Sequence, residues 1–257
     1  MAETIPRLVP VEGLAKEPYR ALIAYPRPTV DAVDERINQL SQLGVDRIDF
    51  NGPLEMGRLS VLGKGVVGLV FSGMAGGDRV AVKIRRVDSR RASMSREAEM
   101  MRAANIAGIG PRLLGSSHDV LKMEFVNGQT LPPWISGLKG RGTRARVRAT
   151  FKMLLEQGAR LDAYGLDHGE LSRAHKNVLV SAEGQPTILD YESASLMRRV
   201  NNFTSIAQYL FLSGRFSHRV IRVLGPVPRD ELLSYLRLYK SGKTNDALEA
   251  VITMLRF

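Results

Sequence analysis

Residues 59 to 85 limit the fold more than any other part of the chain. They run L-S-V-L, then Gly63-Lys64-Gly65-Val66-Val67-Gly68, then L-V-F-S, the turn Gly76-Gly77-Asp78, and R-V-A-V-K-I-R. Short β-branched runs between glycine-rich punctuation predict three strands. Glycines at 63, 65 and 68 leave backbone N–H groups unshielded, so a phosphate chain could lie close beneath the turn. A dinucleotide-binding fingerprint needs a helix directly after its glycines; here a strand follows, so the loop reads as a hairpin. Alternation puts Ala81 and Lys83 on one face of their strand and Val80, Val82 and Ile84 on the other. A lysine turned inward from a strand is costly unless it meets anions. The plainer alternative is an edge-strand lysine whose stem carries its charge to water.

A second stretch, Asp167 to Ser193, reads D-H-G-E-L-S-R-A-H-K-N-V-L-V, a turn at Glu183-Gly184, then T-I-L-D-Y-E-S. It predicts a polar loop, a strand at Val178 to Val180 and a second strand at Thr187 to Leu189. Glu170, Asn177 and Asp190 flank those strands, and a hairpin can bring them to one edge. Such oxygen ligands suit a hard cation that also meets phosphate oxygens.

Bulk properties remove several function classes. No cysteine is present, so disulfides, thiolate zinc sites and cysteine nucleophiles are excluded. The amino end has no apolar core suited to a signal peptide, and no stretch approaches the roughly 18 apolar residues of a membrane span. A cytoplasmic protein with no membrane partner is expected. Lys plus Arg exceeds Asp plus Glu by 37 − 26 = 11, a field that favours polyanions such as RNA or a ribonucleoprotein.

Before the glycine loop, five prolines limit residues 1 to 28 to a short helix around Glu17 to Ala24. Val30, Val33, Ile37, Leu40 and Leu43 recur at helical spacing, with Thr29 as N-cap and Gly44 as stop. Val45, Ile48 and Phe50 predict a short strand, and residues 1–52 together form an appendage packed on the strands of the glycine loop. Beyond the loop, a helix is expected over Ser93 to Ala104 and strands over Pro111 to Ser116 and Val120 to Phe125. The basic turn Gly137 to Gly142 then precedes a helix reaching Tyr164. Val147, Phe151, Leu154, Leu155 and Leu161 form that helix's apolar stripe. Arg141, Arg144 and Arg148 gather on another side, as a solvated face or as a docking patch for RNA or protein. Amphipathic helices over Asp230 to Tyr239 and Asn245 to Leu255 close the chain.

G-K-G-V-V-G-L-V followed by V-A-V-K resembles the protein-kinase signatures G-x-G-x-x-G-x-V and V-A-I-K. His168-Gly169-Glu170-Leu171 is similar to the catalytic loop H-R-D-L, and closer to H-G-D-L of the RIO, KEOPS-complex and aminoglycoside kinases. The resemblance covers residues 55 to 212 and implies a two-lobed, α+β protein-kinase-like fold. Its N-lobe would be 53–126, its abbreviated helical C-lobe 127–257, with a hinge near Phe125 to Asn127 and ATP with Mg²⁺ bound between the lobes. Lys83, held by a helix glutamate, would contact the phosphates. Glu97 and Glu99 both qualify by distance, and the R-E-A pattern favours Glu97. Gly63, Gly65 and Gly68 would cover the phosphates. Val70 and Ala81 would lie against adenine, and the backbone of Glu124 and Val126 would hydrogen-bond it. Asn177 and Asp190 would hold the metal, and Glu170 would orient the acceptor hydroxyl. His168 is expected to brace the loop, and Tyr191 to be a core aromatic.

The chain departs from the pattern in places. Glu170 and Asn177 are seven positions apart, two more than H-R-D-L-x-x-x-N allows. D-Y-E replaces D-F-G, and no A-P-E motif or long activation segment follows. Ser172 stands where ordinary kinases carry lysine, which leaves Lys176 or His175 to take over that phosphate contact. The resemblance thus implies an atypical serine/threonine protein kinase acting on a protein substrate. Two rivals are an ATP-binding switch or ATPase of a ribonucleoprotein assembly, and a small-molecule kinase on the same fold.

Overall fold

A computed structural model describes residues 5–212 and 214–256 of this α+β chain, whose strands all pair antiparallel. It divides into two compact units: the chain through Arg102 together with Pro111–Phe125, and Ala103–Gly110 together with Val126 onward.

The first unit begins with β1 (Leu8–Pro10), a 3-10 turn at Val11–Ala15, and α1 (Arg20–Ile23). Next comes α2 (Val30–Gln42), whose first turn is closed by Thr29: its hydroxyl accepts the Ala32 N–H at 3.2 Å. Gly44, at φ 64°, turns the chain out of the helix into β2 (Arg47–Asp49). A separate ribbon pairs β3 (Leu54–Met56) with β4 (Leu59–Val61). The glycine-rich stretch gives β5 (Gly63–Lys64), β6 (Gly68–Ala75) and β7 (Asp78–Arg85). Helix α3 (Ser95–Ile106) and strands β8 (Leu113–Ser116) and β9 (Val120–Glu124) follow. The main sheet runs β1-β2-β6-β7-β9-β8, with β5 also on β6.

The two faces of β6 and β7 do different work. Leu69, Phe71, Val80, Val82 and Ile84 share a core with Val9, Leu14, Tyr19, Leu22, Leu40, Ile48 and Phe50. Residues 5–50 therefore supply two strands of the sheet and the apolar cover of one of its faces. On the opposite face Val67 and Leu121 pack with Met94 and Ala98 of the α3 region. The period-2 alternation of β7 places Lys83 on this second face.

In the second unit, β10 (Gln129–Thr130) leads into α4 (Leu131–Gly137), whose Pro132 and Pro133 occupy the first turn, where no intrahelical N–H is needed. The long α5 (Thr143–Tyr164) buries the apolar stripe read from the sequence. Its Phe151 ring meets Trp134, Phe211 and Phe216 at centroid distances of 6.2 to 6.5 Å. A 3-10 turn (Leu171–Arg173), α6 (Ala174–Asn177), β11 (Val178–Val180) and β12 (Pro186–Ile188) come next, with sheet order β10-β11-β12. The last strand starts a residue earlier than expected: Pro186 pairs with Val180 on an edge strand, where its missing N–H costs nothing. Helices α7 (Asn202–Phe211), α8 (Gly214–Leu224), α9 (Arg229–Lys240) and α10 (Thr244–Met254) complete the unit. Asp162 of α5 holds the start of α7, accepting the backbone N–H groups of Asn202 (2.9 Å) and Phe203 (3.0 Å). Among the described residues, no helix is long and apolar enough to cross a membrane.

Candidate active site

The predicted site residues fall in both units. In the first, β5 and β6 pair Gly63 with Val70 and Lys64 with Leu69, and the loop between them closes with Gly65 N–H donating to Gly68 O at 2.8 Å. Val66 stands 79% exposed at the tip. Arg86 steadies the loop: its backbone N–H donates to Val67 O at 2.8 Å and its guanidinium to Gly65 O at 3.3 Å. Lys64 is turned away, donating to the Tyr25 hydroxyl at 2.7 Å.

The glycines are not equivalent. A Cβ on Gly68 would sit 2.8 Å from Ile84 O, so packing on β7 demands glycine there. A Cβ on Gly63 would have no atom within 4 Å, and its φ lies outside the left-handed region. Neither packing nor conformation requires glycine at 63, while a closely approaching ligand would.

Lys83 lies opposite Val70 in β6 and Leu121 in β9, and it is only 4% exposed. It meets an anion: Nζ donates to Glu97 Oε1 at 2.7 Å, and Glu97 is 7% exposed. Glu99 faces solvent, so burial and distance separate the two glutamates. Ala81, two residues before Lys83 on the same face, is buried, while Val70 is partly exposed. Glu124 ends β9, with its backbone N–H on Arg112 O (2.9 Å) and its side chain beside Arg112 (3.5 Å). Val126 begins the second unit outside regular structure.

In the second unit, His168 is fully buried. Burial pushes its imidazole below the usual range, and the neutral ring's Nε2 donates to Leu189 O at 2.9 Å. The ring lies 5.2 Å from that of Tyr191, whose hydroxyl burial pushes up. Both are scaffold contacts.

The two additional residues after Glu170 are taken up as helix. The 3-10 turn and the single turn of α6 coil the loop, so that Asn177 returns to Glu170. Asn177 is 3% exposed; its Nδ2 lies 3.5 Å from Glu170 Oε2 and 3.4 Å from Glu170 O. Its backbone oxygen accepts the Leu189 N–H at 2.8 Å, tying the loop to the end of β12. Asp190 follows with φ 65°, a left-handed conformation that short polar residues tolerate best. Such a backbone costs on the order of 1–3 kcal/mol and is concentrated at functional positions. Lys176 and Ser172 are exposed, while His175 is half-buried and stacks on Tyr209 at 5.8 Å.

Two participants carry no signature in the sequence. The Ser193 hydroxyl donates to Glu170 Oε1 at 2.6 Å. Arg198 donates to Asp167 Oδ2 (2.8 Å) and Ser193 O (2.6 Å), which with the Asp167–Ser195 bridge fixes this segment on the catalytic loop. Glutamate has one more rotatable bond than aspartate, and the Ser193 hydroxyl removes that freedom. Ser193 follows the D-Y-E triplet, and nothing local to it points back to residue 170.

No known protein family matches the chain, and a search of curated proteins returns no match.

Proposed function

We propose that this chain is a Mg²⁺-dependent ATP phosphotransferase, with the two units serving as the lobes of a protein-kinase-like fold. Within that class we assign it to the serine/threonine protein kinases of the atypical, short-C-lobe kind, similar to the RIO and KEOPS-complex kinases. The observation that carries the reading is the buried Lys83–Glu97 pair on the strand behind the glycine hairpin. Burying two charges is expensive, and substituting well-packed apolar residues for such a pair is often neutral or stabilising. A requirement for an oriented ammonium accounts for its presence.

The residues fit the groups the reading needs. Gly63 leaves open the space a phosphate would use. Asn177 and Asp190 offer amide and carboxylate oxygens, the donor set a hard divalent cation takes. Bound Mg²⁺ would neutralise charge on the phosphate oxygens as the γ-phosphoryl group transfers to a hydroxyl. Lys83, oriented by Glu97, would hold phosphate oxygens. Glu170, fixed by Ser193, would orient the acceptor hydroxyl and take its proton. Val70 and Ala81 would lie against adenine, and Glu124 and Val126 would offer backbone groups to it.

γ-Labelled ATP tests this. Wild type should place label on protein serine or threonine in a lysate, and Lys83→Ala and Asp190→Asn should abolish it. Glu170→Gln should bind nucleotide yet transfer nothing. Equal labelling by wild type and Lys83→Ala would remove the reading. Glutamate at 170 and the basic second unit favour one rival, an ATPase switch in a ribonucleoprotein. Free phosphate released without protein label, and stimulated by RNA, would select it.

A further inference from the structure

The positive charge of this chain is concentrated on one part of its surface. Cations exceed acids by 19 − 11 = 8 over residues 103–110 and 126–257, against 18 − 15 = 3 over the rest. Inside the second unit, residues 131–149 and 214–229 together hold nine Lys and Arg and no Asp or Glu. The fold joins these stretches. Arg144 Nε donates to Val223 O at 3.1 Å. Arg219 donates to Pro132 O at 3.1 Å and Ser136 Oγ at 2.8 Å. The outer sides of α4, of the first turns of α5, and of α8 are thus one continuous face. Glu183 stands at its edge, beside Arg146.

Helix chemistry on this face runs against ordinary preference. The first turn of a helix favours acids, which α9 supplies with Asp230 and Glu231 and α10 with Asp246. Neither α5 nor α8 has an acid there, and α5 begins on Gly142 with no side-chain cap. Arginines stand there instead, Arg144 and Arg215 among them, adding positive charge to positive helix ends. Two such self-repelling arrangements on one face are relieved together by an anion arriving from outside.

What the face lacks narrows the partner. Among the described residues, no exposed large apolar or aromatic side chain lies within 131–149 or 214–229; Trp134 and Phe216 are turned into the core. A protein partner would need apolar anchors. Reading of single-stranded bases would need rings to stack on. Contacts to phosphate need neither.

We propose that this face binds the phosphate backbone of double-helical nucleic acid, without reading its sequence. The proposal does not depend on phosphoryl transfer. It is tested on the full chain by fluorescence anisotropy with labelled RNA and DNA duplexes across a salt series. A dissociation constant of about 1–10 µM is expected near physiological salt, falling steeply as salt is removed. The triple variant Lys139→Glu, Arg141→Glu, Arg215→Glu should weaken binding about 30-fold and flatten the salt slope by about 3. A control with the same net charge, Lys16→Glu, Arg58→Glu, Arg90→Glu on the first unit, should change affinity less than about 3-fold. Arg215→Glu places an acid where α8 prefers one, so that variant alone should melt no lower than wild type, separating lost binding from lost folding. Equal losses in both triple variants, no duplex binding at low salt, or tighter binding of a polyglutamate peptide than of duplex would each overturn the proposal. Binding of either duplex through the mutated face supports it, and the RNA and DNA arms report which is preferred.

Discussion

Asp119 and Asp162 are buried carboxylates, one in each unit, and they are satisfied by opposite means. Asp119 takes a hydrogen bond from Arg85 Nε and lies 3.9 Å from the buried Arg36 guanidinium. Burial pushes its carboxyl up, but the Arg85 hydrogen bond and the nearby charges more than reverse that, leaving it below the usual range. Asp162 has only neutral donors: two backbone N–H groups, the Asn202 amide (2.8 Å) and the Tyr239 hydroxyl (2.9 Å). There burial outweighs the hydrogen bonds and the carboxyl stays above its usual range. The candidate site repeats the contrast. Lys83 and Glu97 neutralise each other in the first unit, whereas Glu170 in the second is held by a hydroxyl and an amide. Asp167 departs from the pattern, since it pairs with Arg198, though that arginine is half-exposed. A charge cancelled inside the protein is scaffold; one held only by dipoles keeps its charge for whatever approaches.

Substitutions sharpen or break this comparison. Asp119→Ala strands Arg36 and should cost about 3–5 kcal/mol, read as a lower denaturant midpoint. A loss below about 1 kcal/mol would show that the arginines do not depend on it. Asp162→Asn leaves no charge uncompensated but turns a donor toward the Phe203 N–H. It should cost about 1–3 kcal/mol, and a cost equal to that of Asp119→Ala would erase the distinction. Ser193→Ala frees the Glu170 side chain and should lower kcat about tenfold, equivalent to about 1.4 kcal/mol, with KM for ATP unchanged. Ser193→Thr should restore the rate. The smallest effect concerns His168, whose folded pKa lies below the ordinary value of 6.5. Above that value both states are neutral. As pH falls through it the unfolded state takes up the proton first, so stability is lost toward acid. Melting temperatures at about pH 7.5 and about pH 5.5 should therefore diverge more for wild type than for His168→Gln.

Strong periodicity and punctuation made much of the chain legible. Thr29, the stripe of α5 and the strands of the glycine hairpin were readable because local preference and tertiary burial agree there. Helix α4 was not, because its prolines mask the helical pattern while doing no harm in a first turn. Helix α8 and strand β10 were also unread; β10 is only two residues long and is defined by its pairing with β11. For the site, Lys83 and Glu97 could be read because their spacing follows from a strand and a helix. Ser193 and Arg198 could not, since their roles arise where the chain folds back on a loop some thirty residues upstream. The coiling of Leu171–Asn177 likewise depends on tertiary closure rather than on any residue preference.

The unequal glycines of the hairpin decide how the loop should be probed. Adding a methyl group at position 68 would push directly on the neighbouring strand, so any lost turnover there would report a distorted sheet. At position 63 the same methyl group enters empty space. Comparing melting curves with nucleotide affinity for Gly63→Ala therefore isolates the ligand's need for clearance from the protein's own.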